Sequence, residues 1–335
     1  TDLTIRNNDL VAATQGRAFW ILDDLSPVQQ ISMETAEADV HLFEPRPAIQ
    51  VQWGGRPSGG SMGQNPPAGA QIFVHLKDVP EDLVTMEILG ESGEVLRTYA
   101  SDPKEAGDEN LSKLKDLKAG LNRLAWNFRR ESLTKIPDIM VYGSLNGRLV
   151  APGTYRVRLK VGDATQEQSL EVKPDPRRTA TMEDYQEQEQ FLAKVFGLAE
   201  EIHTSVNRLR AVKAQVEGLM ERTKDHAQGE AIETSGKALV EKIDAWETQL
   251  IQPKQKTFQD IINFENQLGN QVLALIESVD GTEPPITRGA RERAGDLEAQ
   301  WSGHRTAMET LLTEDVASFN TLVKTNVDPV IVPEK

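Results

Sequence analysis

The chain has 335 residues, of which 38% are hydrophobic and 27% are charged, and its formal net charge is −15 at pH 7. This acidic balance argues against nucleic acids and anionic membranes as partners, because both need basic patches. The sequence has no cysteine, which excludes disulfides, thiolate catalysis and zinc held by cysteine. It has no run of about 18 apolar residues either, so no membrane span is expected.

The most informative stretch comes early, at residues 9–27. Two apolar runs, 10–13 and 18–22, flank a short turn at 15–17, and this pattern predicts a β-hairpin. A hairpin alone is marginal in water and needs a larger sheet to join. The residues that follow supply no such sheet. We therefore predict that residues 1–45 are the last strands, and the exit segment, of a fold whose other strands lie elsewhere.

Residues 46–69 are rich in glycine and proline, which predicts a flexible loop. Residues 70–175 then carry short alternating apolar runs at roughly ten-residue spacing, a pattern typical of an antiparallel β-sandwich. The clearest run alternates apolar with basic residues and consists of Tyr155, Arg156, Val157, Arg158, Leu159, Lys160 and Val161.

A helical region is predicted over residues 178–327, with a tail at 328–335. After Pro174 and Pro176, apolar residues recur at spacings of three, four or seven, which indicates amphipathic helices. Four helices with short links favour an up-down four-helix bundle. Leu209 lies on the apolar stripe of the first helix and is predicted to be buried, whereas Arg210 is predicted to lie on the surface. The predicted fold class is thus multidomain α+β.

Residues 9–27 also carry a resemblance to a known family. They match, almost residue for residue, the pattern D-L-V-V-A-T-x-G-R-x-F-W-I-L-D-D-x-S-P, with Gln15 where histidine is common. This pattern marks the closing blade of bacterial sortilin-like, Asp-box (BNR-repeat) β-propeller proteins, which are often described as glycosyl hydrolases. The family is also matched at Leu42, Phe43, Pro45, Arg46 and Ala48, and at residues 65–70, 120–126 and 151–157. The resemblance is weaker in the predicted helices.

The resemblance implies three modules: a terminal propeller hairpin, an Ig-like sandwich and a helical region. It also implies a secreted, periplasmic or cell-surface bacterial protein, and any export signal is expected upstream of Thr1. The partners it implies are the remaining propeller blades, in the same or a companion polypeptide, with a further protein or a glycan as a possible ligand. It assigns no catalytic residue to these modules.

Local motifs for catalysis are weak. Residues 59–63 satisfy G-x-S-x-G around Ser61, but a nucleophile elbow needs a strand before the serine and a helix after it. The flanking residues are glycine- and proline-rich, so a loop is favoured. Asp23 and Asp24 resemble a glycosidase carboxylate pair, but adjacent strand residues point to opposite faces. A strand end is therefore the favoured interpretation of this pair.

The sequence also gives little support for a metal site or a sugar-binding site. The five histidines form neither H-x-x-x-H nor H-E-x-x-H; they are His41, His75, His203, His226 and His304. Three tryptophans could form a sugar-stacking platform, but Trp20 and Trp126 lie within apolar strands and are predicted to be core. Trp53 precedes two glycines and is the one predicted to be exposed.

These residues predict no catalytic, cofactor-binding or metal site within this chain, and they leave open whether the parent protein is an enzyme. The function predicted is non-catalytic interaction or scaffolding by the C-terminal region of a propeller protein. Two alternatives stay open. The chain could be the accessory half of a propeller glycoside hydrolase or sialidase-like enzyme, with its active site on other blades, or it could be a carbohydrate-binding module.

Overall fold

A computed structural model describes residues 1–51, 66–324 and 332. These residues form three β-sheets and several helices, so the predicted α+β class is confirmed. The chain divides into two compact units. Unit 1 comprises residues 1–131 and 149–182, and unit 2 comprises residues 132–148 and 183–335. Residues 132–148, which the prediction placed inside the sandwich, therefore pack with the helices.

Unit 1 contains the strands and two short helices. In chain order they are β1 (Asp2–Arg6), β2 (Asp9–Ala13), β3 (Phe19–Leu22), α1 (Ser26–Gln30), α2 (Met33–Glu37), β4 (Val40–Leu42), β5 (Ala48–Gln50), β6 (Ala70–Leu76), β7 (Val84–Leu89), β8 (Val95–Ala100), β9 (Ser112–Lys113), β10 (Gly120–Trp126), β11 (Gly153–Val161) and β12 (Ala164–Pro174).

The strands form three separate sheets. The amino-terminal sheet has the order β1-β2-β3, a second has β10-β6-β4, and a six-stranded sheet has β5-β12-β11-β7-β8-β9. Pairing is antiparallel except where β5 joins β12 and β9 joins β8. The alternation at residues 155–161 therefore does mark a strand, as predicted, and β11 lies inside the six-stranded sheet between β12 and β7.

The second and third sheets share one hydrophobic core. Side chains of alternate residues from both sheets enter it, as expected for strands with one buried face. Trp126 is fully buried there, with its ring edge-on to Phe128 and Tyr155 at centroid distances of 5.7 and 5.3 Å. The prediction that Trp126 is a core residue is confirmed.

The outer face of the six-stranded sheet is charged. Arg158 on β11 contacts Glu87 on β7 at 3.1 Å and Glu167 on β12 at 2.6 Å. Lys160 contacts Glu87 at 3.2 Å. Opposite charges in neighbouring strand positions stabilise a sheet modestly and keep its exterior polar.

Unit 2 contains the long helices. They are α3 (Met182–Arg222), α4 (Gly229–Glu247), a 3-10 turn (Phe258–Ile262), α5 (Leu268–Asp280), α6 (Arg288–Thr310), a π-helical turn (Leu311–Asp315) and α7 (Val316–Val323). The helical stripe on α3 is buried as predicted, and Leu209 has no exposed surface.

Ion pairs between helices show their directions. Arg210 and Lys213 on α3 pair with Glu247 and Asp244 on α4, so these helices are antiparallel. By contrast, α3 and α6 are parallel. Their ion pairs join partners 104 residues apart at heptad spacing, an arrangement familiar from parallel coiled coils, and they are Glu187–Arg291, Lys194–Glu298 and Glu201–Arg305.

Helix α5 continues in the direction of α4. It begins beside the end of α4, where Gly269 N donates to Leu250 O at 2.9 Å, and its far end lies near the start of α3, where Gln188 Nε2 donates to Val279 O at 3.0 Å. The directions from α3 to α6 are therefore up, down, down and up. This is not the alternating order predicted for a four-helix bundle. Helix α4 ends at Glu247, six residues before Pro253, and α5 then runs in the same direction as α4.

Residues 132–148 form a strap on the helices. Leu133 and Ile136 are buried in the helical core. One face of α3 binds the strap backbone through side chains three or four residues apart. These bonds are Glu200 with Thr134 N, His203 Nδ1 with Thr134 O, Asn207 Nδ2 with Lys135 O, and Arg210 Nη1 with Pro137 O. Arg210, predicted to be a surface residue, thus binds the strap through Pro137 O and also pairs with Glu247 on α4.

Candidate functional site

The amino-terminal sheet carries the most unusual surface of the described residues. Strand registers place residues in rows across the sheet: Leu3, Ala12 and Trp20 form one row, and Ile5, Leu10 and Leu22 form the next on the same side. Because directly opposed residues of paired strands share a face, one side of this sheet is apolar throughout. We call it the apolar face, and it consists of Leu3, Ile5, Leu10, Ala12, Trp20 and Leu22.

This apolar face is open to solvent. Leu3 is 67% exposed, Ile5 62%, Trp20 64% and Leu22 52%. The prediction that Trp20 is a core residue is therefore wrong for this chain, although its location in an apolar strand was correct. Apolar surface of this extent is uncommon on soluble proteins and marks interaction sites.

The opposite side, which we call the mixed face, is also unpacked. Phe19 and Ile21 are 73% and 59% exposed there. They share this side with Thr4 and Val11 and with the charged ends of the strands. A sheet with exposed apolar residues on both sides fits between two other layers better than over one core.

A polar network fixes the base of this sheet. Asp24 is 2% exposed, and its backbone N–H donates to Asp9 Oδ1 at 2.9 Å. Arg46 lies between the two carboxylates, with Nη1 at 3.0 Å from Asp9 Oδ1 and Nε at 3.4 Å from Asp24 Oδ2. Asp24 Oδ1 accepts from Ser26 N at 3.0 Å. The exposed strands are therefore held at one end by ion pairs that Arg46, itself partly exposed, makes with Asp9 and with the buried carboxylate of Asp24.

Asp23 and Asp24, the candidate carboxylate pair, contact different side chains. Asp24 takes part in the network just described, whereas Asp23 contacts Arg123 on β10 at 3.7 Å. The two carboxylates have separate structural partners, in agreement with the strand-end interpretation.

Two of the sequence candidates, Ser61 and Trp53, lie outside the described residues. The structure therefore does not test the G-x-S-x-G motif or the exposure of Trp53.

Two of the histidines lie side by side in one sheet, and His203 lies on a helix of unit 2. His41 and His75 are directly opposed on β4 and β6, and burial, followed by the charge of His75, lowers the pKa of His41. Burial also lowers the pKa of His203, while its bond to Thr134 O opposes that effect. Among the described residues, no group of three or more histidine, aspartate or glutamate side chains could hold a metal ion. No described helix is long and apolar enough to cross a membrane.

The comparisons with known proteins add little. No protein-family model and no curated protein matches the sequence. A solved structure titled "pT26-6p" matches at 14% identity over 85% of this chain and 49% of that chain, with a TM-score of 0.15. The chain thus spans about half the length of the solved chain it matches. That likeness assigns neither a fold nor a function to this protein.

Proposed function

We propose that this chain is a non-catalytic interaction region whose amino-terminal sheet packs against β-structure supplied by another segment or polypeptide. The supporting observation is the open apolar face, on which four large side chains are each more than half exposed. Residues 9–27 resemble the closing blade of sortilin-like, Asp-box β-propellers, so the missing layers would be the neighbouring blades. The second and third sheets would then be the Ig-like sandwich, and unit 2 would be the helical module of a secreted or periplasmic protein.

The charge network supports this function because it fixes the sheet without covering it. Asp9, Asp24 and Arg46 hold its base, while its faces remain bare. A surface fixed before binding loses less conformational freedom when a partner arrives, and this raises affinity.

A glycan-binding role has less support. Sugar stacking needs several aromatic rings on one exposed side, but the exposed rings of Phe19 and Trp20 belong to adjacent strand residues. They point to opposite faces, so they cannot form a single platform. The accessory role in a propeller hydrolase stays a prediction that depends on the missing blades.

The proposal is tested by light scattering on the full chain and on a chain lacking residues 1–22, over a range of concentrations. Without its natural partner, the open sheet should drive concentration-dependent association, and the shortened chain should remain monomeric and folded. Leu22→Asp on the apolar face should weaken association strongly. Thr4→Asp, an exposed position on the mixed face, is the matched control and should have a smaller effect.

Equal association of the full and shortened chains would contradict the proposal. A second assay applies ester, peptide and glycoside substrates to the full chain, and no turnover is expected. Turnover abolished by Ser61→Ala would contradict the non-catalytic role.

A further inference from the structure

Two histidines of the second sheet lie directly opposite each other on adjacent strands. His41 on β4 is paired with His75 on β6 in an antiparallel ladder. The bond from Phe43 N to Phe73 O, at 3.1 Å, continues the same ladder and fixes its register. Side chains of directly opposed residues share one face of a sheet, with their Cβ atoms about 5 Å apart. The backbone therefore brings both imidazoles to one place on the sheet.

The histidine pair lies on the outer face of the second sheet. The residues that alternate with the pair, Leu42, Val74 and Leu76, enter the core shared with the six-stranded sheet. Because successive strand residues point to opposite faces, His41 and His75 lie on the side away from that core. Both are half-buried there, so their remaining exposed surface leaves the pair accessible to an ion from solution.

One ring nitrogen of this pair is buried and unsatisfied. His75 Nε2 has no hydrogen-bond partner among the described residues, and a buried polar atom of this kind calls for an explanation in a native structure. Burial, followed by the charge of His75, lowers the pKa of His41. His41 is therefore neutral at pH 7, and a neutral imidazole keeps a lone pair on one ring nitrogen. The pair thus combines two potential nitrogen ligands.

The remaining histidines show no comparable arrangement. His203 on α3 bonds through Nδ1 to Thr134 O at 2.6 Å. His226 lies in the link between α3 and α4 and is exposed, and His304 lies on α6. Within the described strands, His41 and His75 are the one pair of histidines joined by a ladder.

We propose that His41 and His75 together bind one divalent ion of the late first-row transition series, for which Zn²⁺ is the probe. Imidazole nitrogen is a preferred ligand of these ions, whereas Mg²⁺ and Ca²⁺ prefer oxygen. Zinc lies about 2 Å from a ligating nitrogen, and two directly opposed side chains can turn toward one such ion. No third histidine, aspartate or glutamate of the described residues completes a larger group, so water fills the other positions.

An ion bound here would tie β4 to β6. Strand β4 is at the edge of the second sheet. Its outer backbone groups are bonded by the side chains of Gln166 and Gln168 on β12, and not by a further strand of that sheet. A ligand that binds the folded chain and not the unfolded chain stabilises the fold. Binding of the ion should therefore raise the melting temperature of the protein.

The test titrates Zn²⁺ into the full chain while NMR follows the imidazole signals of its five histidines and calorimetry gives the stoichiometry. One ion per chain is expected, and the signals of His41 and His75 should shift together, before the other three. His41→Gln should weaken Zn²⁺ binding by more than about tenfold, because loss of a hydrogen-bond partner of a metal ligand already costs that much. His226→Gln, the matched control, removes an exposed histidine and should leave the affinity unchanged.

Thermal unfolding gives a second measurement. Zn²⁺ should raise the melting temperature of the unaltered chain and of His226→Gln, but not that of His41→Gln or His75→Gln. Circular dichroism checks that the variants fold, and if His41→Gln does not, the order of the NMR shifts in the unaltered chain decides.

Two results would overturn the proposal. Equal affinities of His41→Gln and His226→Gln, or first shifts at a histidine outside the pair, would mean an adventitious ion only. Half an ion per chain would place the ion between two copies of the protein. Neither result affects the proposed function, because the amino-terminal sheet contributes neither His41 nor His75.

Discussion

The amino-terminal sheet and the helical unit differ in how far their apolar residues are exposed to solvent. In unit 2, the stripe on α3 is covered by the other helices and by the strap, and Leu209 has no exposed surface. In the sheet, equally regular apolar rows remain open, and Trp20 is 64% exposed. Periodicity therefore shows which residues share a face, whereas the covering of that face depends on other parts of the chain or on a partner.

A matched pair of tryptophans gives the largest expected contrast. Trp301 is 1% exposed and donates through Nε1 to Glu201 Oε2 at 2.7 Å. Trp301→Ala should lower the free energy of unfolding by about 3–5 kcal/mol, as for other buried aromatic residues. Trp20→Ala should change it by no more than about 0.5 kcal/mol in the isolated chain. Urea denaturation of the full chain measures both changes. A large loss of unfolding free energy in Trp20→Ala would contradict the exposure of this side chain.

Leu209→Ala should give the next largest effect. Its side chain is fully buried in the helical core, so its removal should cost about 2–5 kcal/mol in the same denaturation experiment. Leu22→Ala on the exposed sheet is the control with the same change of residue, and its cost should be near zero. Equal costs at the two leucines would mean that the sheet is covered in solution.

Arg210→Ala should have an intermediate effect. Its guanidinium contacts Glu247 at 2.6 Å and donates to Pro137 O at 2.6 Å. Loss of these charge-assisted bonds should cost about 1–3 kcal/mol. This exceeds the cost of a typical surface change. Arg288→Ala is a suitable control, since Arg288 is 90% exposed and its contact with Glu292 lies within one helix. Equal small losses would show that the strap contact adds no stability.

The smallest effect should be a pH dependence at the strap. The pKa of His203 is lowered in the folded state, chiefly by burial, so the unfolded chain binds a proton more readily. Stability should therefore be complete above the ordinary histidine pKa of about 6.5 and should fall as the pH drops through the lowered value. His203→Gln should lose less stability than the unaltered chain between pH 8 and pH 5. Identical pH profiles would contradict the assignment.

Local features were predictable from the sequence, because they depend on neighbouring residues. The strands at residues 9–13 and 19–22 follow from two apolar runs around a short turn. The strand at residues 155–161 and the buried stripe through Leu209 follow from periodicity. The direction of α5 does not follow from periodicity, since a chain that has left one helix can begin the next helix in either direction. The role of Arg210 could not be predicted either, because its partners Pro137 and Glu247 lie 73 and 37 residues away.

The candidate site was only half predictable for the same reason. The sequence located the hairpin and its apolar strands, but Trp20 was predicted to be core because apolar strand residues usually are. The exposure of the apolar and mixed faces depends on which other segments lie against them, and no local pattern in the sequence records this.

The course of the strap determines how the protein can be divided. The chain passes from unit 1 to the strap after residue 131, returns at residue 149, and leaves again after residue 182. A single proteolytic cut near residue 178 should therefore yield two fragments that remain associated, since Leu133 and Ile136 of one are part of the core of the other. Conversely, residues 183–335 produced alone should be an incomplete domain, which a separately added fragment carrying residues 132–148 could restore.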